Sequence, residues 1–465
     1  MIFGARPRPL HEFLSSRYQS LSTKSSHAKV RDIAIRYAVL TALLSRGGGT
    51  ALQLVAMPFV VRQLGLVAFG EYSTAVAAFS WVLLGETVIG QAMVGRLVLS
   101  ARTEDANAAT AAICTGLATA GLLASIVGVL FSITWVAMAL MQKWTIEKGT
   151  IILYIAAGLI SVFKLFLTVT SRARSAFQQT HVDNVYNALA NVGSFAAVFL
   201  LLPLSPKPST LLLVLFLPPL AAQLASAVQM FATNTLLTGV FRVDLVMARE
   251  FLGESWWLFL GQIGIMSERQ LPLIVFSLAS YSAIAAQYAI AIQLTLMAAS
   301  PVTMITIPLI PAMTHAMHND DHSWWVRRVR VLDRIITIGG CITMVFALLK
   351  GPAVLHLLFG SAEIFSGFEC AALTGWIMAV LSALIYFSVL MAKGEAAFLG
   401  KSSCVKGCVF ALLGFLAFTH QGFGGLFTLG MILTWVITRE PWRRRVRALE
   451  LLYLRRIGTL PLSRG

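Results

Sequence analysis

Charge is scarce in this chain. Only 12% of the 465 residues are Asp, Glu, Lys or Arg, and acids are the rarer kind, 20 against 36 bases. Soluble domains carry about 25% charged residues. A chain that is 57% hydrophobic has too little polar surface to cover itself in water. Signatures of chemistry are missing as well. There is no Walker A sequence, so the chain does not hydrolyse ATP itself. There is no HExxH, GxSxG or CxxCH. The stretches between apolar blocks are short, the longest being the 18 residues of 234–251. That excludes membrane glycosyltransferases, polymerases and ligases, which need an external loop to hold an acceptor and a catalytic carboxylate. Neither an enzyme nor a cofactor site is expected.

The five cysteines, Cys114, Cys341, Cys370, Cys404 and Cys408, fall in or beside apolar blocks and give no disulfide framework. Cys404 and Cys408 are one helical turn apart, but two thiols without further ligands rarely hold a metal. Small polarizable packing residues are the better reading. The first 36 residues contain no apolar core of about 7–15 residues, so no cleavable signal is expected and the first span doubles as the targeting signal.

What is present is a series of long apolar blocks. A bilayer core of about 30 Å needs about 20 helical residues. Blocks of that length lie near 37–63, 69–93, 108–140, 149–171, 184–204, 209–233, 252–278, 283–313, 331–355, 367–391, 401–419 and 421–438. The expected fold is all-α: a polytopic membrane protein with twelve transmembrane helices in two six-helix lobes around a central cavity. The block at 108–140 is longer than one crossing needs and is expected to tilt or project. Pro301, Pro308 and Pro311 predict kinks in the eighth span.

Basic residues set the orientation. Seven precede residue 37, eight lie from Arg439 onward, and the even-numbered loops hold Arg96, Arg102, Arg172, Arg174, Arg242, Arg249, Arg327, Arg328, Arg330 and Lys393. The odd-numbered loops hold only Lys143, Lys148 and Lys207. The positive-inside rule makes the basic side cytosolic, with both termini there, in a bacterial inner membrane. The bases are spread over every loop on that side instead of forming one patch with interleaved aromatics, so nucleic acid is not an expected partner. Anionic lipid headgroups are. The division expected is a basic tail at 1–36, an N-lobe at 37–240, a C-lobe at 241–438 and a second basic tail at 439–465. A weak internal echo supports the two halves: QLGLVAFGEYSTAVAAF at 63–79 and SLASYSAIAAQYAIAIQL at 277–294 both run through a short small-residue turn to a Tyr-led helix, with Tyr72 opposite Tyr288. Same-direction repeats imply a pseudo-two-fold axis along the membrane normal.

The segment LLSRGGGTALQLVAMPFVVRQLGLVAFGEYS at 43–73 resembles the start of the polysaccharide flippases of the multidrug/oligosaccharidyl-lipid/polysaccharide exporter superfamily. They open with a base and glycines in the first span, then a turn of the form LG-x-x-x-FG-x-Y. Residues 285–330 are similar to the start of their second half. The resemblance implies a V-shaped, two-lobed transporter that moves an undecaprenyl-diphosphate-linked oligosaccharide from the cytosolic to the periplasmic leaflet. A polysaccharide polymerase and glycosyltransferases would be its partners. Drug/cation antiporters of the same superfamily share that fold and form the alternative. Lipid II flippases are similar too but usually have two extra spans.

Intramembrane charges are the sharpest candidates, since each costs about 2.5–3.5 kcal/mol or more at the bilayer centre. Arg46 lies about 14 Å into span one, and Glu86 and Lys164 lie about 10 Å before the basic ends of spans two and four. This layer reads as a cavity with Arg46 and Lys164 on a diphosphate and Glu86 as counter-ion or coupling group. The plain reading is a Glu86–Arg46 bridge with a snorkelling Lys164. In the second half, Arg269 is a candidate for substrate and Glu268 for coupling. Adjacent helix positions point about 100° apart, so the two cannot line one surface. Gly47, Gly48 and Gly49 are either a hinge in span one or a site of close packing. Arg62 and Lys350 read as anchors, Trp256 and Trp257 as an interface belt. His315, His318 and His322 with Asp320 and Asp321 read as a helix-capping loop, and no metal site is expected.

Overall fold

In the computed structural model every regular element among the described residues is helical. The described residues are 41, 45, 47–103, 105–141, 148–177, 179–234, 237, 239–279, 281–318, 322–360 and 364–456. The helices are α1 (Gly48–Ser80), α2 (Leu84–Thr103), α3 (Ala106–Met141), α4 (Lys148–Ala176), α5 (Thr180–Leu201), α6 (Pro208–Thr233), α7 (Leu245–Leu278), α8 (Ser282–His318), α9 (His322–Phe359), α10 (Gly367–Ala392), α11 (Ala396–Leu433) and α12 (Glu440–Arg456).

Two of these helices each hold two crossings. In α1 the chain breaks at Gly65, whose φ of 77° and ψ of 162° lie outside helical space. A positive φ of this kind suits glycine, which has no Cβ to clash. The second crossing then runs through a 3-10 turn at Trp81–Leu83 into α2. In α11 the break is at Gln421 and Gly422, with Gly422 at φ 59°. Nine helices among the described residues are long and apolar enough to cross a membrane. Opening the two breaks and counting α7 gives twelve crossing segments in two lobes, α1–α6 and α7–α11.

Burial separates lipid-facing from lobe-centre helices. Only 11% of the most apolar window of α9 is buried, against 56% for α10. Helix α9 exposes Ile335, Ile338, Ile342, Val345, Phe346 and Leu349 along its length, which is sensible only against lipid. Helix α10 begins with a capping box, Ser366 and Glu369. Helix α3 has 36 residues, longer than one crossing requires, as expected. Helix α8 stays one helix through Pro301, Pro308 and Pro311. The segment expected as a basic tail from 439 is helical as far as Arg456: Arg439 closes a π-helical turn at Thr434–Arg439, and α12 buries Trp442 and Val446 against α10 and α11. The physical reason is amphipathicity, with apolar residues on one face of α12 and arginines on the other.

The apolar cores show how the lobes meet. Away from the basic loops, one core joins them: Val60, Val61, Phe69 and Leu211 pack with Phe276, Tyr288, Phe365 and Phe427. Toward the basic loops the core splits. The N-lobe has its own, around Met93, Leu97, Leu165, Val169 and Met230. The C-lobe has another, around Met313, Trp325, Ile385, Tyr386 and Val389. The lobes nevertheless stay in contact at the basic face, where Arg96 on α2 pairs with Glu250 on α7 and Phe251 of α7 sits in the N-lobe core.

Candidate functional site

The lobes touch along α1 and α8. Gly70 lets α1 lie directly on α8, because a Cβ there would overlap the carbonyl of Ser282. Nearer the basic face Thr50 donates to Ser300 at 2.8 Å, and Gly47 faces Met304. At the opposite face Arg62 reaches across the lobes and donates to the carbonyl of Leu357 at 2.7 Å. That carbonyl lies in the last turn of α9, where backbone oxygens lack helical partners and favour a cation. Arg62 is therefore a cross-lobe contact and not merely an anchor. Lys350 is exposed, as an anchor should be.

Of the proposed N-lobe layer, Arg46 lies outside the described residues. Glu86 is on α2, with its side chain outside the description. Lys164 is half-buried on α4, its ammonium 5.3 Å from the ring centroid of Phe216 on α6. An aromatic face attracts a cation most strongly where water is scarce. Ser45 and Gly47 lie in a π-helical turn. Such a turn frees a backbone carbonyl, and the amide of Asn191 on α5 donates to that of Ser45 at 2.9 Å. Gly49 beside it makes room, since a Cβ there would press on the Asn191 amide. Gly48 faces open space.

Asn191 belongs to a stripe that the charge-based reading misses. Asp183, Asn187, Asn191 and Ser194 recur every three or four residues along α5, so they share one face of an otherwise apolar helix. Asp183 accepts from Ser171 on α4 and from Ser226 on α6 at 3.3 Å. Arg174, almost wholly buried, donates to the carbonyl of Ser226 and to Gln229 at 3.2 Å. Ser194 donates to the carbonyl of Leu215. The signal available in the sequence was the 3.6-residue period of polar side chains inside an apolar block.

The C-lobe holds the tightest charge site. Glu268 on α7 is 4% exposed and Lys406 on α11 is 7% exposed. They form an ion pair at 2.5 Å. The second carboxylate oxygen of Glu268 accepts from the indole of Trp376 on α10 at 3.1 Å. Tyr288 on α8 donates to the backbone carbonyl of Glu268 at 2.7 Å. A glycine seam brings the helices together: a Cβ on Gly264 would overlap the backbone of Ser403, and one on Gly407 that of Gly264. The sequence reading places Glu268 but misses Lys406. Arg269 is half-buried and one position on from Glu268, so it points about 100° away from the α11 contact. Glu268 thus faces the lobe interior, and the two residues line different surfaces.

Two other features lie apart from this chemistry. A buried network, Asp333, Ser382 and Arg439, ties α9 and α10 to the π-turn before α12, with Arg439 stacked 3.7 Å over Trp435. A cavity of about 630 Å³ lies between α3, α4 and α6, lined by apolar side chains such as Leu117, Phe166 and Leu224 and by Thr170. It touches none of the candidate charges. Trp256 is exposed on α7, and Lys401 sits 4.4 Å over the ring of Trp257. The side chains of His315, His318 and His322 and all of Asp320 and Asp321 fall outside the described residues.

No family model matches the chain, and no characterised protein matches it in sequence. Solved structures do match in fold. A mutant of the Vibrio cholerae MATE transporter VcmN is 13% identical with a TM-score of 0.61, covering 89% of this chain and 97% of that one. An inward-facing multidrug resistance MATE family transporter of the MOP superfamily is 14% identical, with a TM-score of 0.65 over 88% and 99% of the two chains. An outward-facing structure of such a transporter gives 0.60 at 14% identity, over 90% and 96%. At these identities the likeness is one of fold, and it spans both lobes.

Proposed function

We propose that the chain is a membrane transporter working by alternating access, and that it exports a small amphipathic molecule in exchange for a cation. The observation that carries this is the match of both lobes, over about nine-tenths of the chain, to multidrug MATE transporters. The apolar core, shared by the lobes at one face and divided at the other, suits two bodies that move against each other.

A second reading rests on a specific observation. The segment at 43–73 resembles polysaccharide flippases, and the N-lobe layer carries two bases, Arg46 and Lys164. Arginine gives a planar fork for phosphate oxygens and lysine a compact charge, which suits a lipid-linked diphosphate. On that reading Arg269 adds a contact from the other lobe, and Glu86 holds Arg46 in the empty state. A polymerase and glycosyltransferases would be partners. The fold likeness favours the first reading.

One deletion strain separates them. Export of a small molecule predicts raised sensitivity to cationic drugs, restored by the gene, with normal surface polysaccharide. Loss of polysaccharide and build-up of its lipid-linked unit, with unchanged drug sensitivity, would replace the first reading with the second. In the second case Arg46→Ala and Lys164→Ala at normal protein level would each abolish export.

A further inference from the structure

We propose that Lys406 is a tethered cation: its ammonium fills the seat beside Glu268 that a free coupling cation would need, so the C-lobe of this protein holds no exchangeable ion. The inference rests on the transporter reading only for its meaning, because the seat itself is defined by binding chemistry.

The geometry is that of an occupied site. One oxygen of Glu268 meets the Lys406 ammonium at 2.5 Å and the other accepts from Trp376 at 3.1 Å. Both charged side chains are more than nine-tenths buried. Trp376 cannot swing away, being stacked between Phe410 and Phe427, each 5.9 Å between centroids. On the basic side the seat is shut by the glycine seam, where Gly264, one turn before Glu268, meets Ser403 and Gly407 backbone to backbone. A carboxylate so deep must be neutralised by a partner, a proton or an ion. Here the partner is covalently part of the chain, at an effective concentration no free ion matches. A cation that drives transport would then bind elsewhere, and Asp183 in the N-lobe is one half-buried carboxylate that could take it.

The corollary is sharp. Replacing the ammonium by an apolar chain of similar length empties the seat without removing its walls. The test is the thermal unfolding midpoint of the full-length protein in detergent, titrated with Na⁺ against a bulky organic cation at equal ionic strength. Wild type and Lys406→Met are compared with Glu268→Gln and with the neutral double variant Glu268→Gln/Lys406→Met as a matched fold control. The expected result is a Na⁺-dependent rise of several degrees in Lys406→Met that is absent in the double variant. Recovery of folded Lys406→Met only in Na⁺ supports the proposal equally. A folded Lys406→Met with no Na⁺ response overturns it. So does a Lys406→Met that fails with and without Na⁺ while the double variant folds. A Na⁺ response in wild type that disappears in Glu268→Gln would also overturn it, because the native seat would then be exchangeable. None of these outcomes depends on the cargo, so failure of the transport reading would show in the deletion strain and not here.

Discussion

Polar contacts join the first crossing to the fifth in each lobe, and they differ in kind. In the N-lobe, the Asn191 amide of α5 bonds a backbone carbonyl freed by a π-helical turn in span one, and beside it Asn184 of α5 donates to Thr41 at 3.2 Å. In the C-lobe, a fully buried ion pair joins α7 to α11 above a seam of four glycines, Gly261, Gly264, Gly400 and Gly407. The N-lobe contacts can be remade with water or a ligand group. The C-lobe pair cannot be opened without stranding a charge. The C-lobe contact is thus closed to exchange, whereas the N-lobe contacts are ones that water or another polar group can replace.

The largest effect expected from this difference is at Lys406. Lys406→Ala leaves Glu268 buried and uncompensated, and should lower stability by about 3–5 kcal/mol. Glu268→Gln in the same chain should return part of the loss. Chemical unfolding in detergent, read as a double-mutant cycle, measures the coupling.

Next comes the seam. Gly264→Ala puts a Cβ into the backbone of Ser403 and should destabilise by about 1–3 kcal/mol. Gly48→Ala, in the glycine run of span one, meets no atom within 4 Å and should be neutral or slightly stabilising. If the two variants unfold alike, packing does not distinguish the lobes. A smaller change is expected for Asn191→Ala, about 0.6–1.7 kcal/mol, the range of intramembrane hydrogen bonds. Transport should suffer more than stability there.

The smallest effect concerns the lobe junction. Asp244 caps α7, accepting from the backbone N–H groups of Met247 at 3.2 Å and Val246 at 2.9 Å. Those amides, with Arg242 nearby, hold its carboxyl below the usual range. A depressed carboxylate stabilises the fold above its unfolded pKa, and the contribution is lost as pH falls through the lower, folded value. The hydrogen-exchange protection factors in the first turn of α7 should therefore fall only in acid, and Asp244→Ala should remove that dependence.

Much of the fold was legible because a bilayer imposes lengths. The apolar blocks gave the crossings and their direction changes, and the basic loops gave one face a sign. The break at Gly65 fell between two blocks already separated in the sequence, and the break at Gln421 and Gly422 fell at the first residues of the last block. The site was less legible for two reasons. Partners such as Glu268 and Lys406, far apart in the chain, are joined only by helix packing. Uncharged polar groups were passed over, although the period of Asp183, Asn187, Asn191 and Ser194 was visible. The basic run from 439 gave no sign by its charge that it would form a helix, and the sign lay in the shared face of Trp442 and Val446.

Alternating access is tested most directly by distances across the lobes at both faces. Spin labels can be placed at exposed Ser175 and Val331 toward the basic face, and at Leu204 and Leu357 toward the other, after replacement of the five cysteines. Pulsed electron resonance in lipid nanodiscs would follow both pairs as a cationic drug and the driving ion gradient are varied through pH and Na⁺. The account predicts that the two pairs change in opposite directions, one shortening while the other lengthens. Two pairs that stay fixed under every condition, or that lengthen together, would contradict it.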